Sequence, residues 1–300
     1  MGISYYNIPE LFRAVIVPDT VPLVLFMLVI VVLGSAALSD VQSREVHDLH
    51  WAAIGLVGIA FWLVSASYYG AKWEYFAMAT GSGIIMYDIL WDADRSKAVS
   101  AAIYGSIFVF FLLPYIFSPS DRMVQAGTTV PVFYALYLLM YMAGLLRGGA
   151  DAKCMISLTV AFPFYPVFWN FPLLGVPEGV LPQVFVFSAA VLFHALLFSL
   201  TAALYNVCRN LRDGNRGKRM FQGYMMDIEE AELSPVWPMD DTDGEKLFRI
   251  PIPEETADIY SRLRDYGERK IWVTPMIPFI LPVFASVLFV GLAGNLLFLI

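Results

Sequence analysis

Two aspartates in this 300-residue chain stand where a long apolar run gives way to a short charged segment. Asp40 lies in Ser39-Asp40-Val41-Gln42-Ser43-Arg44, directly after the run from Val21 to Leu38. Asp151 lies in Arg147-Gly148-Gly149-Ala150-Asp151-Ala152-Lys153, between two other apolar runs. A carboxylate at the edge of a membrane segment is costly, up to about 2.5–3.5 kcal/mol if it lies deep, so its presence needs a reason. If the two meet, one chemistry suits them. Carboxylates too close to ionise together hold one proton between them; the protonated member donates to a peptide carbonyl and the ionised member draws a proton from water. That hydrolysis requires neither a metal nor a covalent intermediate, and no cofactor is expected. Singly, each aspartate has a plainer reading: Asp151 as a helix N-cap, and Asp40 as the end of a span paired with Arg44.

The small residues Gly148, Gly149 and Ala150 let the backbone turn tightly and let a substrate strand or a neighbouring helix approach. Asp151 then falls in the first turn of the following helix, where the dipole favours its anionic form. Lys153 lies two residues on and so on another helical face; it reads as a surface cation snorkelling from the membrane.

The elements that must position these groups are membrane spans. The chain is 59% hydrophobic and 15% charged, beyond the usual range of soluble domains. Eight segments reach the length of about 17–25 residues that a span needs: Val21–Leu38, Trp51–Tyr69, Trp73–Leu90, Ala98–Phe117, Val130–Leu146, Ala152–Trp169, Leu181–Val207 and Ile271–Ile300. The expected fold is an all-α polytopic membrane protein with a small cytoplasmic subdomain. Residues 1–207 form the catalytic core, 208–270 the subdomain and 271–300 a last transmembrane helix, its entry kinked by Pro275, Pro278 and Pro282. The subdomain has apolar anchors in Met220, Phe221, Tyr224, Met225, Trp237, Leu247 and Phe248, which argue against disorder. With the N-terminus outside, the inner connections hold sixteen of the nineteen basic residues, leaving only Arg13, Lys72 and Arg122 outside. This lopsided division sets the orientation in a plasma membrane and puts Asp40 and Asp151 at one cytoplasmic interface. The first twenty residues do not read as a removable leader. Nothing resembles a nucleic-acid recognition helix, and oligomeric state is not encoded in the pattern.

Other ionisable groups compete for attention. Asp88, after Met86-Tyr87 at the end of the third segment, is a rival first carboxylate, although it sits in an acidic cluster with Asp92 and Asp94 facing Arg95 and Lys97, as a solvated loop would. His47, Asp48 and His50 lack a third well-spaced metal ligand. His194, inside the seventh segment, reads as a hydrogen-bonded core histidine. Cys154 and Cys208 form no C-x-x-C pair and read as free small hydrophobes. A proton- or cation-coupled transporter would also use membrane carboxylates, but near the midplane and in related halves, and no internal repeat is evident.

The motif Gly148-Gly149-Ala150-Asp151-Ala152-Lys153 resembles the G-x-G-D signature of membrane aspartyl proteases, in the form G-G-A-D-x-K common in archaeal preflagellin and type IV prepilin peptidases. Ser39-Asp40 with Arg44-Glu45-Val46-His47-Asp48 resembles the first motif of that family. Phe221-Gln222-Gly223-Tyr224 and Trp272-Val273-Thr274-Pro275-Met276-Ile277-Pro278-Phe279 resemble the C-terminal part of its archaeal members. The resemblance implies an aspartic endopeptidase with Asp40 and Asp151 catalytic. Its partners would be preflagellin and pilin-like precursors, which lose a short basic leader, and the lipid bilayer. Ala150 departs from the second glycine of the signature. His47 and Asp48 stand where proline and asparagine are usual, which leaves the capping there open. Four spans separate the aspartates, as if an extra pair had been inserted. A Tyr-Asp pair at Asp88 is similar to the companion motif of presenilin and signal peptide peptidase relatives, but their Pro-Ala-Leu sequence is absent.

Overall fold

The computed structural model describes residues 20–68, 72–91, 94–146, 148–175, 186–251, 253 and 256–299. Helices come first: α1 Thr20–Ser43, α2 Leu49–Tyr68, α3 Trp73–Leu90, α4 Lys97–Phe117, α5 Arg122–Gly127, α6 Thr129–Met142, α7 Gly149–Ala161 and α8 Phe187–Arg212. Then follow β1 Tyr224–Asp227, α9 Ile228–Glu232, β2 Val236–Pro238, β3 Asp240–Thr242, β4 Leu247–Arg249, α10 Ala257–Tyr266, β5 Lys270–Pro275 and α11 Ile280–Leu292. The chain divides into two compact units. One comprises the residues up to Ala195 together with those from Phe279 on; the other runs from Leu196 to Pro278.

The first unit is a helical membrane protein by composition. Pro22–Ser43, Lys97–Phe117, Arg122–Met142 and Phe187–Arg212 are long and apolar enough to cross a bilayer. Leu28, Val31, Leu56, Phe108 and Leu139 stay exposed, as lipid-facing residues do when lipid tails are as apolar as they are. Between helices, small residues permit close approach. A Cβ on Gly58 of α2 would lie 2.0 Å from the Val160 carbonyl oxygen of α7. One on Gly291 of α11 would lie 2.3 Å from the Phe26 ring of α1. Where α3 begins and α4 ends, Asp121 accepts from Lys72 Nζ at 2.9 Å and from the Tyr75 hydroxyl at 2.8 Å, while Ser118 donates to Glu74 at 2.6 Å.

Two expected spans take a different course. The sixth ends as a helix at Ala161, thirteen residues long. Phe162-Pro163 follows, and a residue before proline is driven out of the helical region. The last is not one helix from Ile271. Lys270–Pro275 is a β-strand in the second unit, and the helix spans only Ile280–Leu292, with Pro282 in its first turn, where proline's missing N–H costs no internal bond. The start of the seventh, Leu181 to Gln183 and onward, lies partly outside the described residues.

The second unit is not helical alone, so the all-α expectation needs correcting. Its antiparallel sheet has the order β1-β5-β2, with Tyr224 opposite Val273 and Trp237 opposite Thr274, beside a β3-β4 hairpin. The strands use alternating apolar residues, Ile271 and Val273 inward, in the period of two that a half-buried strand requires. The sheet buries Tyr224, Met226, Val236 and Ile271 against Ile259, Tyr260 and Leu263 of α10. The two C-terminal motifs are therefore hydrogen-bonded partners. Gly223 is small because a Cβ there would fall 2.0 Å from the Val273 carbonyl oxygen. Arg262 grips Asp241 through two hydrogen bonds of 3.0 and 2.6 Å, and these hold the Asp241 carboxyl below its usual range.

Candidate functional site

Asp40 lies in the last turns of α1, and the helix closes just beyond it by a local network. The Ser39 hydroxyl donates to the Glu45 carbonyl at 2.7 Å, the Ser43 hydroxyl donates to the Ser39 carbonyl at 2.9 Å, and the Arg44 N–H donates to the Asp40 carbonyl at 3.2 Å. Arg44 itself has φ 61°. A non-glycine residue in that left-handed region carries a cost of roughly 1–2 kcal/mol, which the surrounding bonds must hold. Its guanidinium acts on Asp40 through space, without the ion pair that a plain span terminus would make.

The Asp40 carboxylate is half-buried and accepts the Ile280 N–H at 3.1 Å. Ile280 is the first residue of α11, so Asp40 sits at a helix N-terminus that belongs to a segment 240 residues away. In the sequence Pro275, Pro278 and Pro282 suggest a kinked entry to a helix from Ile271, but nothing there indicates that Asp40 would accept the N–H at its actual start.

Asp151 occupies the first turn of α7, half-buried, and its Oδ2 accepts the Gly148 N–H at 3.2 Å. The glycines are not there for the turn. Gly148 has φ −94° and ψ 135° as N-cap, and Gly149 and Ala150 are already helical. The left-handed glycine of this connection is Gly144, with φ 70°. Gly148 instead leaves room for the Asp151 carboxylate: a Cβ there would stand 2.9 Å from its Oδ2. At Gly149 the nearest group to an added Cβ is the Tyr141 hydroxyl at 3.8 Å. Ala150, in place of the second glycine, lies in the helix with no positive φ and so adds no backbone strain.

The two carboxylates are within electrostatic range of each other, and the buried Cys154 thiol, one turn beyond Asp151, is within range of both. Each carboxylate thus has its own helix N-terminus, α11 for Asp40 and α7 for Asp151. An N-terminus carries roughly half a positive charge, so two of them offset part of the repulsion that brings an anion pair apart.

Lys153 is not a free surface cation. Its Nζ donates to both oxygens of Asp48, at 2.9 and 2.8 Å, which ties the α1–α2 connection to α7. Asp48 is available because His47 does the capping: its Nδ1 accepts the Leu49 N–H at 3.2 Å at the head of α2. His50 Nδ1 bonds to the His47 carbonyl at 2.9 Å. With these duties assigned, the three do not converge as metal ligands. Arg147 lies outside the described residues.

Asp88 is not in a solvated loop. Its side chain is 10% exposed and that of Arg95 13%; its oxygens accept from Arg95 at 2.5 Å and from the Tyr134 hydroxyl at 2.5 Å. Asp92 lies outside the described residues. His194 is fully buried in α8, with Nδ1 against the Ala190 carbonyl at 2.8 Å and Nε2 accepting the Leu296 N–H at 3.4 Å. That pattern joins α8 to the C-terminal turn and is structural.

The first unit is thus a set of apolar helices that brings Asp40 and Asp151 within electrostatic range of each other. No family model matches the chain. Among curated proteins, a preflagellin peptidase of Methanocaldococcus jannaschii is 29% identical over 205 residues, 66% of this chain and 82% of that protein. A preflagellin peptidase of Methanococcus maripaludis is 24% identical over 268 residues, 87% of this chain and 90% of that protein. One of Methanococcus voltae is 20% identical over 269 residues, covering 87% and 91%. The resemblance read from the motifs thus holds over most of the chain, and it is to the archaeal preflagellin peptidases.

Proposed function

We propose that the chain is a membrane aspartyl endopeptidase that removes the short basic leader from preflagellin or pilin-like precursors at the cytoplasmic face. The reading rests on Asp40 and Asp151 lying within electrostatic range of each other, each accepting a backbone N–H at a helix N-terminus. The relatives' shared name supports the substrate class. A precursor with a charged leader and an apolar helix would offer the bond between them at the membrane edge, where both carboxylates and water are present. Acting as a unit, the pair shares one proton. The protonated oxygen donates to the scissile carbonyl while the ionised partner takes a proton from the attacking water. The carbonyl becomes a tetrahedral gem-diol, and return of a proton to the leaving nitrogen releases leader and mature protein.

Asp88 is the weaker choice for a catalytic partner, since both of its oxygens are already bonded. The reading is tested by co-expressing a tagged precursor with Asp40→Asn, Asp151→Asn and Asp88→Asn variants and following leader removal on gels. Loss with the first two and retention with the third is expected. Normal processing by Asp40→Asn or Asp151→Asn rules the reading out.

A further inference from the structure

The Asp48–Lys153 ion pair bridges the α1–α2 connection and α7 without involving either proposed catalytic carboxylate. Among the described residues it supplies the only side-chain hydrogen bonds between the segment 39–50, which carries Asp40, and α7, which carries Asp151. We propose that this pair is a positioning contact that sets the gap between the two catalytic carboxylates. The inference deepens the peptidase reading and rests on it.

Three observations support it. Both ends of the contact are stiffly coupled to the carboxylates. Lys153 is two residues beyond Asp151 on the same helix. Asp48 follows Asp40 through a connection pinned by the Ser39, Ser43 and His47 hydrogen bonds. Second, Asp48 is not needed as a cap, because His47 caps α2. Third, the helices do not need the pair to stay together. α2 and α7 already meet at Gly58 and Val160, about 15 Å further along α2 at the rise of a helix. The lysine and aspartate side chains are 23% and 42% exposed, and ion pairs of that exposure contribute little to folding stability. A contact of small energetic worth, placed between two groups whose spacing decides their chemistry, acts through geometry.

The test uses the full chain in detergent, with cleavage of a leader-bearing precursor followed for wild type, Asp48→Asn, Lys153→Gln, the double variant and Lys153→Arg. Each neutral single variant should lower kcat by about ten- to a hundredfold, the scale of a misplacement near 1 Å, with KM little changed. The double variant should be no worse than the singles, as for two ends of one contact. Lys153→Arg should recover most of the loss. The two limbs of the pH–rate profile should also draw together in the neutral variants, because carboxylates held further apart titrate more independently. Arg44 and Cys154, ionisable groups in electrostatic range of the carboxylates, are the same in every variant. Additive losses, unmoved limbs or kcat within about threefold of wild type would overturn the proposal. So would a fall in melting temperature that accounts for the lost activity, with Lys153→Arg no better. Cleavage that survives Asp40→Asn or Asp151→Asn is a separate result, and it overturns the peptidase site itself.

Discussion

Replacing Gly148 by alanine separates the chemistry of the site from its fold. Gly148 has an extended backbone, φ −94° and ψ 135°, which alanine adopts without strain, and losing a glycine's freedom in the unfolded chain favours the variant by about 0.4–1 kcal/mol. The added Cβ would stand 2.9 Å from Asp151 Oδ2 and 3.1 Å from its Cγ. The nearest obstacle is thus the end of a flexible side chain, and the collision is relieved by rotating the carboxylate. That rotation breaks the 3.2 Å bond from the Gly148 N–H and turns a carboxylate that lies within electrostatic range of Asp40. A charge-assisted bond contributes roughly 1.5–3 kcal/mol, and at about 1.4 kcal/mol per decade kcat should fall by roughly ten- to a hundredfold. KM should hardly change, and the melting temperature should fall only modestly, because the glycine's lost freedom offsets part of the lost bond. Gly149→Ala is the control: its Cβ would meet only the Tyr141 hydroxyl at 3.8 Å, so activity should stay within about threefold of wild type. Steady-state cleavage of a precursor peptide, with a thermal melt of the same preparations, decides it. Full activity in Gly148→Ala, or equal losses in both variants, refutes the reasoning.

Other perturbations give distinct results. Gly58→Ala should lower the melting temperature sharply, because its Cβ would meet the Val160 carbonyl at 2.0 Å and backbone cannot rotate away; overpacking of this kind costs about 1–3 kcal/mol or more. Asp88→Asn should still cleave precursor but melt earlier, since it leaves Arg95 without its charge partner at a site worth roughly 3–5 kcal/mol when broken. In the second unit, Arg262 holds the Asp241 carboxyl below its ordinary 3.8. A depressed folded value means the ionised form is favoured by folding, so that stability is complete above the unfolded value and is lost as pH falls below it. Arg262→Ala should therefore remove part of the acid-induced loss of protection in β3 and α10, read by hydrogen exchange between about pH 5 and pH 3.

The candidate site was partly legible in the residues alone. Asp40 and Asp151 stand out because a carboxylate at the edge of an apolar segment carries a cost that grows with depth, and the distribution of Lys and Arg is what suggests that their two rims share a face. The motif residues around Asp151 also indicate a helix N-terminus, where Asp151 lies. Less legible was why the glycines are there. A glycine in a string suggests a turn, yet Gly148 serves an approach between its own backbone and Asp151. Lys153 read as a lone cation because its partner, Asp48, is 105 residues away, and pairings at that separation have no local signature. The same holds for Asp88, whose neighbours Asp92 and Asp94 suggest solvent while Tyr134, 46 residues on, encloses it. The C-terminal segment failed for a different reason. Ile271 to Pro275 is apolar enough for a span, but with its β-branched residues it serves as the middle strand of a sheet.

The sequence alone determined the apolar segments, their charged rims and the residue types able to do acid–base chemistry, since hydropathy, charge and side-chain pKa are properties of the residues themselves. Only the tertiary structure decided that Asp40 takes its hydrogen bond from the head of α11, that Asp151 and Gly148 form a closed contact, and that Lys153 reaches Asp48. Those depend on where distant stretches of backbone come to rest. That placement is set by how closely helices can pack past glycines and by which N–H groups remain unpaired at helix ends, both properties of the assembled bundle and not of any one segment.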